Sequence, residues 1–411
     1  MGRRTIVHVD MDAFFCAVEL LRHPEYAGKP LVVGGRRDST RAVVSSCSYE
    51  ARAYGIHSAM PIQKAVRLCP HAIFIPPDHA AYVEVSSRIH ALFETMAPVV
   101  EPVSIDEAFL DMSGCEHFYD DLTTMGAVIK QRVYETVRCK ATVGIAENKL
   151  LAKLATDLSK PDGLMVIDRH NMDEILLPLP VRKLWGVGEK TAEQLASLNI
   201  HTVADIRKCG PDRLKNLLGS WGSAIYQMAL GQDERPVETP KPAKSIGHEV
   251  TFAEDIPFGP ALFDALSAVS HQTAKRLQKD GRYGRTVHLK VRFSDFKTIT
   301  RSQTHSEGFN RASFIYNTAL SLLKKIPPRP VRLLGVSVSD LQTCRQTSLF
   351  STTDEGRVDE LLNKLNSGLK NPLITTAADL AVKTGRFADQ VTGPEPPHPA
   401  RRTTYPPSQK P

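Results

Sequence analysis

The 411-residue chain has no long hydrophobic run. No window of eighteen consecutive apolar residues occurs, and only Met-Gly-Arg-Arg precedes the first β-branched run. A membrane-spanning helix needs about 20 apolar residues, and a signal peptide needs an apolar segment of its own. We therefore expect neither a membrane span nor a signal peptide, and the expected location is the cytoplasm.

The cysteines are few and scattered. Seven occur, an odd number, and no two of them are spaced as a C-x-x-C pair. A disulfide framework or a structural zinc site is therefore not expected. With 42% hydrophobic residues, a chain of this length has enough apolar side chains for about two to four domains with ordinary cores.

Basic residues are concentrated in one part of the chain. Residues 241–345 carry 17 Lys and Arg against 8 Asp and Glu, whereas residues 1–240 carry 27 against 30. An excess of positive charge over a domain-sized segment favours a polyanionic partner, while short charged runs usually form only a solvated face.

Two adjacent carboxylates, Asp106 and Glu107, lie between two runs of strand composition that predict a β-hairpin. Neighbouring residues of an ideal strand face opposite sides, so these two acids converge only if a turn separates the strands. Near the start of the chain a β-branched run ends at Asp10, with Asp12 two residues later. Carboxylates at neighbouring strand ends form a hard oxygen site that suits Mg²⁺ and two-metal phosphoryl transfer.

Four segments carry a resemblance to a known family: HVDMDAFFCAVE (8–19), SSCSYEARAYGI (45–56), SIDEAFLD (104–111) and VGIAENKLLAKLATDLSKPDG (143–163). In this order and spacing they resemble the Y-family translesion DNA polymerases of the bacterial DNA polymerase IV type. The resemblance implies an α+β, multidomain right-hand polymerase without a proofreading exonuclease. It would add dNTPs to a primer 3′-hydroxyl in an error-prone, template-directed reaction.

The resemblance also implies a metal site. Asp10, Asp106 and Glu107 would be the catalytic ligands of two Mg²⁺ ions, assisted by the Met11 carbonyl. The spacing of Asp12 places it on the same face as Asp10, yet the equivalent acid in the family is not a principal ligand. Whether Asp12 contacts metal is left open by the sequence.

Nucleotide contacts are implied at six positions: Phe14, Phe15, Ser46, Tyr49, Arg52 and Lys160. Tyr49 and Arg52 lie three residues apart at the start of a predicted helix, so they share a face at the end that favours anions. Ser46 would add a hydrogen-bond donor, and Lys160 would reach the phosphates. Phe15 would be the steric gate against a ribose 2′-hydroxyl, whereas Phe14 is the stronger core candidate by its spacing.

The predicted elements divide the chain as follows: palm, 1–22 and 77–169; fingers, 23–76; thumb, 170–237; linker, 238–244; little finger, 245–342. The palm is predicted as a ferredoxin-like β-α-β-β-α-β unit, an antiparallel sheet with helices on one side. The little finger repeats this order of elements. In the fingers, strands are expected near Pro30–Val33 and Ala42–Ser46.

Two segments are candidates for DNA contact. Gly186 and Gly188 join two helical segments next to Lys190, which resembles a helix-hairpin-helix that presents backbone N–H groups to a phosphate. In the little finger, a predicted hairpin carries five cations: Arg285, Lys290, Arg292, Lys297 and Arg301. His288, Lys290 and Arg292 alternate with apolar residues, so one face of the sheet is expected to be a core and the other basic.

The segment after the little finger, residues 343–391, begins with a short motif. Gln346, Leu349 and Phe350 lie in a pentapeptide that resembles the one by which bacterial polymerases dock on the sliding clamp. The Pro-rich residues 392–411 are expected to be disordered. The expected partners are primer-template DNA, dNTPs and the sliding clamp, and we expect a monomer.

Two other functions compete with a polymerase. A catalytically dead relative could bridge DNA and the clamp, but such a scaffold would have no reason to retain all three carboxylates together with Tyr49, Arg52 and Lys160. A palm-type nucleotidyl cyclase would need no DNA grip, and it leaves residues 170–340 without a role.

Overall fold

The computed structural model describes residues 4–239 and 242–343. They fall into two units, the first made of residues 4–38 and 42–239 and the second of residues 242–343 together with 39–41. Within these residues no helix has the length and apolar character needed to cross a membrane. The six cysteines of the described ranges are free.

The first unit is a mixed unit of strands and helices. Its strands are β1 (Ile6–Met11), β2 (Leu31–Val33), β3 (Ser46–Cys47), β4 (Ile73–Ile75), β5 (Val99–Pro102), β6 (Glu107–Asp111), β7 (Ala141–Ala146) and β8 (Leu164–Ile167). Its α-helices are α1 (Phe14–Arg22), α2 (Tyr49–Arg52), α3 (Ile62–Leu68), α4 (His79–Met96), α5 (Leu122–Val137), α6 (Lys149–Ser159), α7 (Met172–Leu176), α8 (Glu189–Ala196), α9 (Val203–Cys209), α10 (Pro211–Leu218) and α11 (Ser220–Ala229). Short 3₁₀ helices cover Pro24–Tyr26, Glu116–Phe118 and Val181–Lys183.

The larger sheet of this unit has the order β5-β6-β1-β7-β8. β1 lies in the middle and pairs antiparallel with both β6 and β7, while β7 and β8 are parallel. Every residue of β1 is buried. A strand that is buried along its whole length needs hydrogen-bonding partners on both edges and packing on both faces. The central place of β1 in the sheet provides a partner strand on each edge.

Helices cover both faces of this sheet. α4 and α5 pack on the face that carries Val7 and Val9, and these residues share one apolar core. The expectation of helices on one side holds for α4 and α5 of the β-α-β-β-α-β unit. The further helix α6 packs against β7 and β1 on the other face. Gly144 of β7 allows this approach, because a Cβ at that position would lie 2.1 Å from the carbonyl oxygen of Ala152.

The smaller sheet of the first unit has the order β3-β2-β4. β2 is antiparallel to β3 and parallel to β4. The strand expected over Ala42–Ser46 does not form, and β3 comprises only Ser46–Cys47. Val44 instead exchanges backbone hydrogen bonds with Met60 and Ala59, both 2.8 Å, so this β-branched segment pairs with a turn rather than with a regular ladder.

The last five helices of the first unit, α7 to α11, pack around a shared apolar cluster. Among its buried members are Leu184, Leu195, Ile206, Leu214 and Ile225. Helix α9 begins with a capping box in which Thr202 and Asp205 exchange side-chain and backbone hydrogen bonds. These helices form the segment that the sequence predicts as a thumb.

The second unit is one antiparallel sheet with two helices on one face. Its elements are β9 (Ser245–Ile256), α12 (Pro260–Lys279), β10 (Gly284–Phe293), β11 (Thr298–Phe309), α13 (Ala312–Leu323) and β12 (Val331–Ser339). The strand order is β11-β10-β12-β9. The apolar core lies between the helices and the strand face that carries Val287, Leu289 and Val291.

The two sheets share an order of elements along the chain but differ in strand order. In the first unit the first strand is central, whereas in the second unit the first strand, β9, lies at an edge. The burial of the strands accounts for this difference. β1 is buried throughout, whereas in β9 only His248, Phe252 and Ile256 are buried, as suits an edge strand with one solvated face.

Candidate active site and nucleic-acid interface

Three carboxylates meet at one end of the β1–β6 pair. Asp10 and Glu107 are direct partners in the register of the two antiparallel strands, so their side chains share a face. Asp106 precedes β6 in the turn that we predicted, where Ser104 Oγ donates to its Oδ1 at 2.5 Å. The backbone N–H of Met11 donates to the Asp106 carbonyl at 3.0 Å and fixes this turn to the end of β1.

Asp10 and Glu107 each form an ion pair with a different lysine. Lys160 Nζ lies 2.6 Å from Asp10 Oδ2, and Lys153 Nζ lies 2.7 Å from Glu107 Oε2. Lys153 lies in α6, and Lys160 is the residue that follows this helix. His8, fully buried on β1, brings its Nε2 to 3.5 Å from the same Glu107 oxygen.

The electrostatics of the two paired acids differ. Burial raises the pKa of Asp10 to about 6 against the opposing charge of Lys160, and the nearby Asp106 and Glu107 add to the rise. Burial also raises the pKa of Glu107, but interactions with His8 and Lys153 outweigh it and bring the pKa to about 2. Asp10 therefore carries a negative charge that its protein surroundings compensate only in part.

As the side chains stand, no group of three His, Cys, Asp or Glu in the described ranges converges closely enough to hold a metal ion. The donor set nevertheless fits Mg²⁺ in its chemistry, because it consists of carboxylate oxygens at adjoining strand ends. The raised pKa of Asp10 points the same way, since a cation beside these acids would favour their charged forms.

The nucleotide candidates on α2 share a face, as their spacing predicts. The guanidinium of Arg52 lies 4.4 Å from the centre of the Tyr49 ring, which is a cation–π arrangement. The Tyr49 hydroxyl donates to Asp12 Oδ1 at 3.2 Å. Ser46 is buried in β3, and its side chain lies beside the Cys16 thiol of α1.

The two phenylalanines at the start of α1 have different surroundings. Phe14 is 2% exposed and belongs to the core between the sheet and α4. Phe15 is only partly buried, and its ring stacks on Tyr82 with centroids 4.1 Å apart and planes 14° apart. His79 meets the Phe15 ring edge-on at 5.7 Å. The rings of Phe15, Tyr82 and His79 therefore pack together beside the start of α1.

Family comparisons match most of the chain. The model described as the impB/mucB/samB family matches residues 9–157, and the model of its C-terminal domain matches residues 243–349. The model described as the DNA polymerase-iota thumb domain matches residues 182–233. A solved Y-family DNA polymerase chimera superposes with a TM-score of 0.73 at 28% identity, over 82% of this chain and 99% of that one.

Curated relatives decide the assignment. A DNA polymerase IV of Desulfatibacillum aliphaticivorans is 41% identical over 371 residues, which cover 90% of this chain and 93% of the relative. The chain belongs to the Y family of DNA polymerases. A DNA polymerase IV of Alkalilimnicola ehrlichii is 42% identical over 357 residues, which are 85% of this chain and the whole of that relative. The family and the right-hand fold expected from the sequence motifs are thereby confirmed.

In this Y-family chain the two thumb glycines have different roles. Gly186 has a φ of +87°, and a Cβ there would come within 2.9 Å of the Trp221 ring, so the turn requires glycine. Gly188 caps α8 without any side-chain hydrogen bond, and the first N–H groups of that helix lack a capping side chain. Lys190 is exposed in the first turn of α8. Backbone N–H groups at the start of a helix can donate hydrogen bonds to an anion such as phosphate.

The cations of the little-finger hairpin do not all share a face. The register pairs Arg292 with Thr298 and Lys290 with Thr300, on the face that α12 and α13 leave open. Arg301 pairs with Leu289 and therefore belongs to the side of the core, at the exposed edge strand. Arg285 also has the parity of the core residues, and its Nε donates to the His305 carbonyl at 3.3 Å. Lys297 is exposed in the turn before β11.

The open face of this sheet is made of small polar residues around the remaining cations. Its members are Ser245, Gly247, Glu249, Thr251, Thr286, His288, Lys290, Arg292, Thr298, Thr300, Ser302, Thr304, Gly335, Ser337 and Ser339, together with the apolar Leu333, which is 5% exposed. Lys290 pairs with Glu249 at 2.8 Å, and Arg292 donates to Thr298 Oγ1 at 3.0 Å. Hydroxyls and small side chains let a phosphate backbone approach such a face closely.

Sequence reasoning missed two members of the site, His8 and Lys153. His8 was predictable, because it precedes Asp10 by two residues on the same strand and so shares its face. Lys153 lies seven residues before Lys160, two helical turns, which places both lysines on one side of α6. Its contact with Glu107 could not be read from the sequence, where no cation flanks Asp106 and Glu107. The clamp motif at Gln346, Leu349 and Phe350 lies outside the described residues.

Proposed function

We propose that this chain extends a DNA primer with dNTPs under the direction of a template, with Asp10, Asp106 and Glu107 as the ligands of its Mg²⁺ ions. DNA-directed DNA polymerase activity in translesion synthesis accords with membership of the family. The bound ions would stabilise charge on the attacking and leaving oxygens. The Met11 carbonyl, at the end of β1 beside Asp106, is the backbone oxygen that we assign to the same site.

The observation that carries the proposal is the meeting of three carboxylates on one end of two paired strands. Mutual repulsion and burial make such a cluster costly unless a cation joins it. Lys153 and Lys160 offset part of this charge, each at one acid. Burial and the neighbouring acids raise the pKa of Asp10 to about 6, which disfavours its charged form, and a bound cation would offset this effect.

The incoming nucleotide is assigned to the residues around this cluster. Tyr49 and Arg52 form one arm of a phosphate clamp at the start of α2, and Ser46 lies just before them. Lys160 forms the other arm. It pairs with Asp10 in the structure, so we propose that it exchanges this carboxylate for the phosphates when nucleotide binds.

Phe15 is assigned the role of the sugar gate. Its ring is held flat against Tyr82 and edge-on to His79, so it has little freedom to move away from a larger sugar. A 2′-hydroxyl would meet this ring, and exclusion by clash discriminates against ribonucleotides. Phe14 packs into the core behind it and supports the start of α1.

The DNA is assigned to the thumb turn and to the open face of the little finger. Gly186, Gly188 and Lys190 would bind phosphate through backbone N–H groups and one charge. Lys290, Arg292 and Lys297 would neutralise phosphates without reading bases. The register places Arg285 and Arg301 on the core side of the sheet, so the contacts proposed for the open face do not include them.

We also propose that Gln346, Leu349 and Phe350 dock on a sliding clamp. The pentapeptide follows a folded unit, and two large apolar side chains stand next to each other in it. Burial of both would contribute about 3–6 kcal/mol before ordering costs, which is consistent with a reversible tether.

The test is primer extension by the purified full chain on a defined primer-template, with Mg²⁺ and single dNTPs. The chain should insert the nucleotide complementary to each template base, and it should extend past a template lesion that stops a high-fidelity polymerase. EDTA should abolish both reactions. Nucleotide addition that ignores the template, or no addition with Mg²⁺ present, would overturn the proposal.

A further inference from the structure

Asp12 has no part in the metal site proposed above. It follows β1 directly, is 7% exposed, and precedes Ala13, whose φ of +45° turns the chain from the strand into α1. A carboxylate buried to this degree is costly unless its oxygens are satisfied by donors. Both oxygens of Asp12 are satisfied by protein groups.

The donors come from three separate segments of the first unit. Oδ1 accepts from Thr142 Oγ1 on β7 at 2.9 Å and from the Tyr49 hydroxyl on α2 at 3.2 Å. Oδ2 accepts from the backbone N–H of Asp162 at 2.8 Å. One buried side chain thus joins the palm sheet, the first helix of the fingers and the turn that follows α6.

Two of these segments carry the proposed phosphate clamp. Tyr49 stacks under Arg52, so fixing the tyrosine ring also fixes the guanidinium. The turn held through the Asp162 N–H begins two residues earlier at Lys160. Lys130 and Lys140 hold the Asp162 carboxylate at 2.9 and 2.6 Å, which anchors the other side of this turn to the palm.

We propose that Asp12 is a positioning residue that sets the spacing between the two arms of the phosphate clamp. Its ligand class is the triphosphate of the incoming nucleotide and, in the reverse reaction, pyrophosphate. This inference rests on the proposed function. Asp12 acts through Tyr49 and the Lys160 turn, and it touches neither the metal nor the nucleotide.

The decisive variant is Asp12→Asn, which keeps the shape of the side chain. The amide has one oxygen, and its NH₂ group cannot accept a hydrogen bond, so at least one of the three donors must change its partner. Hydrogen bonds to a charged group contribute more than neutral ones. We expect the dissociation constants of dNTP and of pyrophosphate to rise about tenfold or more, with a smaller change in kcat.

Binding is measured without turnover, on a primer-template whose primer ends in a dideoxynucleotide, with Mg²⁺ present. Asp120→Asn, an exposed acid of the same unit, is the matched control and should bind dNTP like the parent. Tyr49→Phe and the double variant Asp12→Asn/Tyr49→Phe complete a double-mutant cycle of dNTP affinity. Because Asp12 acts partly through Tyr49, Asp12→Asn should cost less affinity in the Tyr49→Phe background than in the parent.

Two results would overturn the inference. One is parental dNTP and pyrophosphate affinity in a folded Asp12→Asn variant, and the other is full additivity of the two substitutions. Should the variant not fold, hydrogen exchange in the unmodified protein provides the test. Added dNTP should slow exchange in residues 49–52 and in residues 160–163 together, and slowing in only one segment or in neither contradicts the coupling.

These outcomes are separable from failure of the proposed function. A chain that extends primers normally, but whose Asp12→Asn variant binds dNTP and pyrophosphate like the parent, refutes only the role of Asp12. A chain that performs no template-directed insertion refutes the proposed function itself.

Discussion

Lys153 Nζ lies 2.7 Å from Glu107 Oε2, across the interface between α6 and the palm sheet. The lysine is 20% and the glutamate 17% exposed, so the pair is largely shielded from water. His8 approaches the same oxygen from β1. Glu107 is therefore held in one orientation by groups from two elements, with its pKa brought to about 2.

Replacement of this lysine should impair the metal site. In Lys153→Met the Glu107 carboxylate loses its counter-ion and its fixed orientation, so we expect single-nucleotide insertion to slow about tenfold or more. The Mg²⁺ concentration that gives half the maximal rate should rise. Lys153→Arg should restore most of the rate, and a titration of insertion rate against Mg²⁺ checks all three statements. An unchanged Mg²⁺ requirement in Lys153→Met would show that the pair is only structural.

Phe15→Ala should relax sugar selection. Removal of the ring removes the clash with a 2′-hydroxyl, so the ratio of ribonucleotide to deoxyribonucleotide insertion should rise about tenfold or more while dNTP insertion persists. The neighbouring Phe14→Ala is the control. It should leave the ratio unchanged and lower stability by about 3–5 kcal/mol, because Phe14 is a core residue. Equal sugar selection in folded Phe15→Ala and in the parent protein would refute the gate.

The register of the little finger predicts a difference between two arginines. Arg292 lies on the open sheet face and Arg301 on the core side of the edge strand. Arg292→Gln should reduce the log-log salt slope of duplex DNA binding by about 0.9, the value for one phosphate contact. Arg301→Gln should change the slope much less. Equal effects of both substitutions would mean that the DNA does not lie on the open face.

The clamp motif can be tested by its effect on product length. Replacement of Gln346, Leu349 and Phe350 by Ala should leave single-nucleotide insertion on a short primer intact. Tethering raises the local concentration of the polymerase on DNA without changing the chemical step. Stimulation of long products by a loaded clamp should therefore disappear. If a loaded clamp stimulates the triple variant as it does the parent chain, the contact lies elsewhere.

Local patterns in the sequence predicted much of the active end of the palm. The strand of Asp10, the turn at Asp106 and the shared face of Tyr49 and Arg52 all follow from periodicities of two and 3.6 residues. The role of Asp12 as an acceptor for three segments was not predictable, because its donors lie up to 150 residues away. Such contacts depend on tertiary packing.

The features that the sequence did not predict have the same physical origin. Nothing local shows that α6 crosses the second face of the palm sheet, since that depends on the missing side chain of Gly144. The β-branched Val43 and Val44 suggested a strand, but their backbone groups pair with residues 59–61 of a turn instead of with a neighbouring strand. The β-α-β-β-α-β order that the two sheets share likewise did not determine the strand order.

The carboxylate cluster is tested most directly by Asp106→Ala in single-turnover insertion with Mg²⁺, alongside a measurement of primer-template binding. Asp111→Ala, an acid at the far end of β6 whose carboxylate accepts from the Ser113 N–H, is the control for folding. We predict that Asp106→Ala slows nucleotide transfer by about 10³-fold or more while DNA affinity and the control reaction stay near parental values. Near-parental insertion by Asp106→Ala would contradict the assignment of the active site.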